Sequence, residues 1–359
     1  MPLAGRSPYS GFGDATSDRV RAFFFSRTGM ASAVVVAVAV VGAAFLALRG
    51  GKETPPVRVP PTTAPTTAPA PGPTGGVLFG ASIRPATNTI EAEKSAVQRL
   101  EADFGGTLDI NHNFYTWDEQ FPTEIERWDL SSGRMPMISW NGKGVLSSDI
   151  ADGLYDPLIK ERAAQVKKLG GTVLIRWMWE MDGNKKAEWV RSPSHYIDAW
   201  RHIVKTFRDQ GATNVEWVWC PNASAFLVGG AQSYYPGPEY VDWICADGYN
   251  WAPGRPGDEW RSFRDIFTGF YSWAASQKKR IMVGEFGVQE RLPDDKARWV
   301  DDARQTIKSA FPLIKAVVYF DANQDYDWRM NTSESAYRAF KDMANDAWFD
   351  INLKRRLPK

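Results

Sequence analysis

From residue 77 onward, short apolar runs alternate with longer stretches whose apolar positions recur every three or four residues. The short runs read as eight strands, at 77–83, 106–110, 135–140, 172–179, 215–219, 241–246, 280–283 and 316–320. The longer stretches read as amphipathic helices at 91–104, 155–169, 196–210, 263–277, 296–311 and 333–345. Strands that alternate with helices build a parallel sheet covered by helices. Eight such units in roughly 270 residues match the size of a (β/α)8 TIM barrel. The fold class expected is therefore α/β, with a TIM barrel over residues 77–350 and a short C-terminal tail at 351–359.

The pattern is different ahead of the barrel. Residues 30–48 form an unbroken apolar run, close to the ~20 residues that cross a bilayer. A cleavable signal has a shorter apolar core and a small-x-small site after it, whereas this run ends Phe45-Leu-Ala-Leu-Arg49. An uncleaved single-pass anchor is the favoured reading, with a cleaved signal as the alternative. Residues 49–76 are rich in Pro, Thr and Ala, a composition that favours an extended, semi-rigid spacer. The expected layout is a cytoplasmic tail at 1–29, a membrane span, a stalk, and a barrel outside the cell.

Composition adds two constraints. The chain carries 43 basic and 42 acidic residues, a formal net charge of +1. This balance gives no electrostatic footprint for nucleic acid. Sixteen tryptophans stand among 359 residues. Such rings fill cores, and they also offer flat apolar faces with few torsions to freeze. Cys220 and Cys245 fall on consecutive predicted strands. Outside the cytoplasm they can pair, and the sequence leaves open a disulfide or two buried thiols.

Catalysis in a parallel barrel sits at the C-terminal ends of the strands. Polar residues gather there. His112 follows strand two, Trp140 ends strand three, Asn222 follows strand five, and Tyr249, Asn250 and Trp251 follow strand six. Two acids stand out. Glu180 closes the run Val173-Leu-Ile-Arg-Trp-Met-Trp-Glu, and Glu285 lies in Ile281-Met-Val-Gly-Glu-Phe-Gly287. They are about three units apart at ~31 residues per unit, so both project into one mouth. Two carboxylates facing one bond are what glycoside hydrolysis requires, and a retaining pair lies about 5–5.5 Å apart. Arg176 precedes Glu180 by four residues, which puts both on one face of a strand. A buried arginine needs carboxylate or carbonyl partners, so Arg176 is expected to hold site carboxylates, with a purely structural salt bridge as the alternative. Trp140, Trp251 and Trp328 are candidates either for sugar platforms or for simple packing, and His112 is a candidate cleft residue. Asn222 and Asn250 are candidates either for sugar hydroxyls or for capping. His195 and His202 read as structural, and Asp321, Asp325 and Asp327 as a solvated acidic loop rather than a calcium site. No spacing demands a metal or cofactor, and a monomer is expected.

Four segments together resemble glycoside hydrolase family 26, whose best-known members are β-mannanases. They are Arg176-Trp-Met-Trp-Glu-Met-Asp-Gly183, Ala212-Thr-Asn-Val-Glu-Trp-Val-Trp-Cys-Pro-Asn222, Tyr234-Tyr-Pro-Gly-Pro-Glu-Tyr-Val-Asp-Trp243 running on to Asp247-Gly-Tyr-Asn-Trp251, and Gly284-Glu-Phe-Gly287. The resemblance covers nearly the whole barrel. It implies a retaining glycosidase with Glu180 as acid/base, Glu285 as nucleophile, and Tyr249 hydrogen-bonded to the nucleophile. Two positions depart from the family pattern. Trp179 stands where the family carries a histidine that shapes the sugar subsite, and Asp182 replaces an asparagine. The reaction type carries over more readily than a preference for mannan. The function expected is an anchored extracellular endo-β-glycosidase acting on β-mannan, mixed-linkage β-glucan or a related surface polymer. A non-catalytic carbohydrate-binding barrel and a transglycosylase are the alternatives.

Overall fold

The computed structural model describes residues 76–351, except 88, 184, 185 and 350. The anchor and stalk expected at 30–76, Gly76 aside, and the tail beyond Ile351 lie outside the described residues. Among the described residues no helix is long and apolar enough to cross a membrane.

Eight parallel strands close into a barrel in sequence order. They are β1 (Leu78–Ile83), β2 (Ile110–Tyr115), β3 (Met135–Trp140), β4 (Val173–Trp177), β5 (Val215–Trp219), β6 (Trp243–Asn250), β7 (Arg280–Val288) and β8 (Ile314–Asp321). β8 returns to pair with β1 over six registered positions, Leu78↔Ala316 through Ile83↔Asp321. Among the described residues nine α-helices accompany them: α1 (Ile90–Phe104), α2 (Glu124–Ser131), α3 (Ser147–Ala151), α4 (Asp156–Lys167), α5 (Ala187–Val190), α6 (Pro193–Asp209), α7 (Phe263–Ser276), α8 (Asp295–Ser309) and α9 (Glu334–Ala344). The six helices anticipated from periodicity are α1, α4 and α6–α9. The α2 helix was missed because it is short. Its start is set by a capping box in which Thr123 and Glu126 satisfy each other's backbone N–H groups. Between β5 and β6 only short 3-10 turns occur, at Ala223–Val228, Ala231–Tyr234 and Pro238–Tyr240.

Alternation along the strands sorts the core into two. Leu78, Ile110, Met137, Leu174, Val218, Trp243, Met282 and Val318 fill the barrel interior. Ile138, Ile175, Trp177, Ile244, Val283 and Val317 face outward under the helices. There Trp177 stacks on Tyr196 of α6 with centroids 5.2 Å apart. Each such side chain, fully buried, contributes about 1.5–3 kcal/mol.

Several strand ends differ from the sequence reading. β2 begins where the predicted strand stops, because its polar residues Asn111, His112 and Asn113 are buried in the sheet rather than placed in a loop. β6 and β7 run to Asn250 and Val288, well past the apolar runs at 241–246 and 280–283. β4 stops at Trp177, two residues early, because Met178 and Glu180 take positive φ angles of 44° and 52°. Ile351, read as the start of the tail, is buried against the core.

Candidate active site

Along the inner face of the barrel the side chains change from apolar to polar towards the C-terminal mouth. On β4, Leu174 is followed two residues later by Arg176, and on β3 Met137 is followed by Ser139, as period-two alternation requires. Arg176 is fully buried. Its Nη1 donates to both oxygens of Asp247 on β6, at 2.8 and 2.7 Å, its Nε donates to Ser139 Oγ at 2.7 Å, and its Nη2 donates to Glu285 Oε1 on β7. Burial opposes the guanidinium charge, but Asp247 and Glu285 outweigh it and hold Arg176 above its ordinary range. Burial also drives the Asp247 carboxyl upward, against the pull of Arg176. Protonating Asp247 would weaken charge-assisted bonds at 2.7–2.8 Å, so we take the ion pair as the stable form.

Glu285 is aimed by an extra residue in β7. The register between β6 and β7 runs Ala246↔Val283 and then Asp247↔Glu285, which leaves Gly284 unpaired. Such a bulge re-aims the next side chain. Only glycine fits this place: a Cβ on Gly284 would meet Cys245 Sγ at 2.2 Å, Cys220 Sγ at 2.8 Å and Asp247 Oδ1 at 3.0 Å. The Tyr249 hydroxyl donates to Glu285 Oε2. Burial first, and then the negative charge of Glu285, keep this phenol well above its ordinary range, so it remains a donor. Glu285 thus has a donor on each oxygen and is 5% exposed at the mouth.

Under this pair lies a disulfide. The register Trp219↔Ile244 puts Cys220 beside Cys245, and the two are bonded, with Cα atoms 4.3 Å apart. Cys220, Cys245 and Asp247 lie within 4.8 Å of one another. The sulfurs are joined to each other, which leaves no thiolate in this cluster for a metal.

Glu180 follows the sharp turn that ends β4. Positive φ at a non-glycine residue costs energy and is held by its surroundings. Here the Glu180 N–H donates to the Cys220 carbonyl at 2.7 Å, which fixes the turn against the end of β5. Desolvation raises the Glu180 carboxyl above its ordinary range. Lys186 lowers it, Glu285 raises it, Arg176 lowers it and Asp182 raises it. Between Met178 and Glu180, Trp179 turns back over the barrel interior. It meets Phe114 edge-on with centroids 5.2 Å apart, and the Arg176 guanidinium lies 5.0 Å from its ring centre.

The remaining candidates separate into three groups. Tyr249, Trp251 and Trp328 form an aromatic cluster at the mouth, with Trp328 4.9 Å from Tyr249 and 5.3 Å from Trp251. Trp328 is buried in it, and Arg255 lies 3.8 Å over the Trp251 ring, so neither offers a bare platform. Asn222 borders a cavity of about 240 Å³ between the β5 and β6 loops, which Ser224, Tyr249, Trp251, Arg255 and Glu259 also line. It is held by Asp182, which accepts from its backbone N at 3.0 Å and from its Nδ2 at 3.2 Å. Two candidates do not reach the cleft. Trp140 points outward from β3, fully buried, stacked on Trp117 at 4.3 Å and donating to the Trp117 carbonyl. His112 is fully buried inside the barrel beneath Phe114. Its Nε2 meets Ser139 Oγ at 2.7 Å, and burial pushes it well below its ordinary range into the neutral form.

Asn250 pins the following loop through Arg261, donating to its carbonyl and accepting from its N–H. His195 and His202 bind Ser192 and Asp156, away from the mouth network. Asp321 accepts from the Met330 N–H and Asp327 pairs with Arg329. Three participants were not singled out from the sequence: Asp247 as the partner of Arg176, Ser139 and Lys186. The parity that put Arg176 inside would have found Ser139, had the register between β3 and β4 been known.

A TIM barrel with two carboxylates at the C-terminal ends of β4 and β7 can cleave bonds between sugars, one acid protonating the leaving oxygen and the other facing the anomeric carbon. The model of glycosyl hydrolase family 26 matches residues 150–348 of the 359, and the chain belongs to that family. It is 34% identical to Endoglucanase H of Acetivibrio thermocellus over 264 residues, 70% of this chain and 29% of that protein. It is 27% identical to mannan endo-1,4-beta-mannosidase A and B of Caldalkalibacillus mannanilyticus over 210 residues, 56% of this chain and 35% of that protein. The chain thus spans about a third of the length of each curated relative. Among solved structures, a β-mannanase of the same family from Bacteroides ovatus superposes with a TM-score of 0.59 at 15% identity, over 79% of this chain and 94% of that one. A Bacillus subtilis mannanase gives 0.55 at 20% identity, over 77% and 87%. These structural likenesses concern the fold.

Proposed function

We propose that this chain is a retaining endo-β-glycosidase that hydrolyses a β-linked polysaccharide by double displacement. The observation that carries the reading is the unequal setting of the two glutamates. Glu285 accepts hydrogen bonds from Arg176 and Tyr249, one on each oxygen, whereas desolvation raises the Glu180 carboxyl above its ordinary range. A desolvated carboxyl suits the proton donor, and a carboxylate held in place by a donor on each oxygen suits the attacking group. Glu285 attacks the anomeric carbon while Glu180 gives its proton to the departing oxygen. Glu180 then takes a proton from water, whose oxygen displaces Glu285 and regenerates both groups.

β-Glucan is the favoured substrate, because the endoglucanase relative is the nearer of the two in identity and Trp179 replaces the histidine of the mannanase-like segment. A sugar hydroxyl in place of water would make the same site a transglycosylase. The apolar run at 30–48 and the stalk after it would hold the barrel outside the cell, near polymers at the surface.

The test is product release from mixed-linkage β-glucan, β-mannan and β-xylan, followed by chromatography of the oligosaccharides. Short oligosaccharides from β-glucan above all are expected. Preferential cleavage of β-mannan would overturn the choice of polymer. Tight binding to a polymer without products would replace the enzyme by a carbohydrate-binding barrel.

A further inference from the structure

Lys186 stands in the loop after β4, six residues beyond the acid. Its Nζ lies 3.9 Å over the centre of the Trp179 ring and donates to the Trp179 carbonyl. Among the described residues, no carboxylate oxygen comes within ion-pairing distance of it. A cation set beside a carboxyl, yet committed to a ring face and a carbonyl, can act on that carboxyl through its field without capping its oxygens.

We propose that Lys186 is a positioning residue for Glu180, its ammonium fixing the electrostatic field in which that carboxyl gives up and takes back a proton. This rests on the reading of Glu180 as acid/base. The charged and titratable groups that face Glu180 are Lys186 from its own loop, Glu285 from β7, Arg176 from β4, Asp182 two residues on, and Asp247 and Tyr249 from β6. Those that face Lys186 are Glu180, Arg176, Asp247 from β6 and Glu285. Arg176 is already neutralised by Asp247 and Glu285, which leaves Lys186 as the cation not tied to a carboxylate. When Glu180 donates its proton, the developing negative charge meets this ammonium, and proton donation is favoured. When Glu180 takes a proton from water in the second step, the same charge opposes it.

The loop geometry keeps this charge close. Glu180 takes a positive φ of 52°, and past this turn Lys186 returns to the ring and carbonyl of Trp179, the residue bonded to Glu180. Desolvation brings Lys186 down to about 8, so the ammonium persists through neutral pH.

The experiment compares Lys186→Met and Lys186→Arg in the full chain, reading kcat/KM against pH on the polymer identified above. Removing a cation that neighbours a carboxyl raises its proton affinity, by about one unit or more where the two charges lie within about 4–6 Å. The alkaline limb is therefore expected to move up by about one unit in Lys186→Met and to stay in place in Lys186→Arg. Should Lys186→Met fail to fold, Lys186→Gln carries the same expectation. A limb that coincides in all forms overturns the proposal. Glu180→Gln in parallel separates this from failure of the parent reading. If Glu180 is the acid, that variant loses activity on the polymer but keeps its glycosylation step on a dinitrophenyl glycoside, whose leaving group needs no proton. Equal activity on both substrates would remove Glu180 from the mechanism and the Lys186 proposal with it.

Discussion

Glu285→Ala is expected to lower kcat/KM on the polysaccharide by at least about 10⁴-fold, since loss of a covalent nucleophile removes the intermediate itself and costs up to about 10⁶-fold in other hydrolases. The folded barrel should survive the change. Arg176 keeps its bonds to Asp247 and Ser139, and one of three neighbouring carboxyls is gone. Glu180→Ala, measured alongside, should lose about 10²–10⁴-fold, the range of general acid–base catalysis. Initial rates of reducing-sugar release, with a thermal melt on each protein, test this. More than about a hundredth of the original activity in folded Glu285→Ala would sink the nucleophile assignment.

The second large effect falls on stability. Arg176→Met leaves Asp247 and Glu285 in the barrel with their shared cation removed. Breaking a buried pair in this way costs about 3–5 kcal/mol, because a charge remains without compensation. At about 2–4 °C per kcal/mol for a large domain, the melting midpoint should fall by roughly 6–20 °C. Activity should fall with it, since Glu285 loses one of its two donors. Arg176→Lys should recover little, because an ammonium lacks the fork that reaches Ser139, Asp247 and Glu285 together. Melts at neutral pH settle the matter. A midpoint within about 2 °C of the unmodified protein would mean that this network is not what supports the mouth.

The parts of this site that could be read from the sequence were those set by period two and by strand order. Arg176 faces inward on β4 as alternation requires and Glu285 lies three units on, but Glu180 stands beyond the turn that ends β4 at Trp177, so alternation along the strand does not place it. What could not be read depends on register and parity. In a parallel barrel both faces of a strand are apolar, so nothing in Met-Pro-Met-Ile-Ser-Trp reveals that Trp140 points outward and Ser139 inward. The polar run around His112 reads as a loop, and the hydrogen bonds that let such a strand be buried involve Asp129 and Ser139 on neighbouring elements. The pairing of Cys220 with Cys245 follows from a register that composition does not encode. Gly284 reads as half of a short motif, and only the packed disulfide explains why a side chain is excluded there. Lys186 lies in a loop without periodicity, and its contact with Trp179 is a tertiary one that sequence spacing does not announce.

The central claim is that Glu285 and Glu180 act by double displacement. The most direct test is proton NMR of the anomeric signals during the first minutes of polysaccharide cleavage, before mutarotation. The account predicts that the β-anomer of the new reducing end appears first and the α-anomer grows in later. An α-anomer formed first would mean direct displacement by water, and would contradict the role given to Glu285.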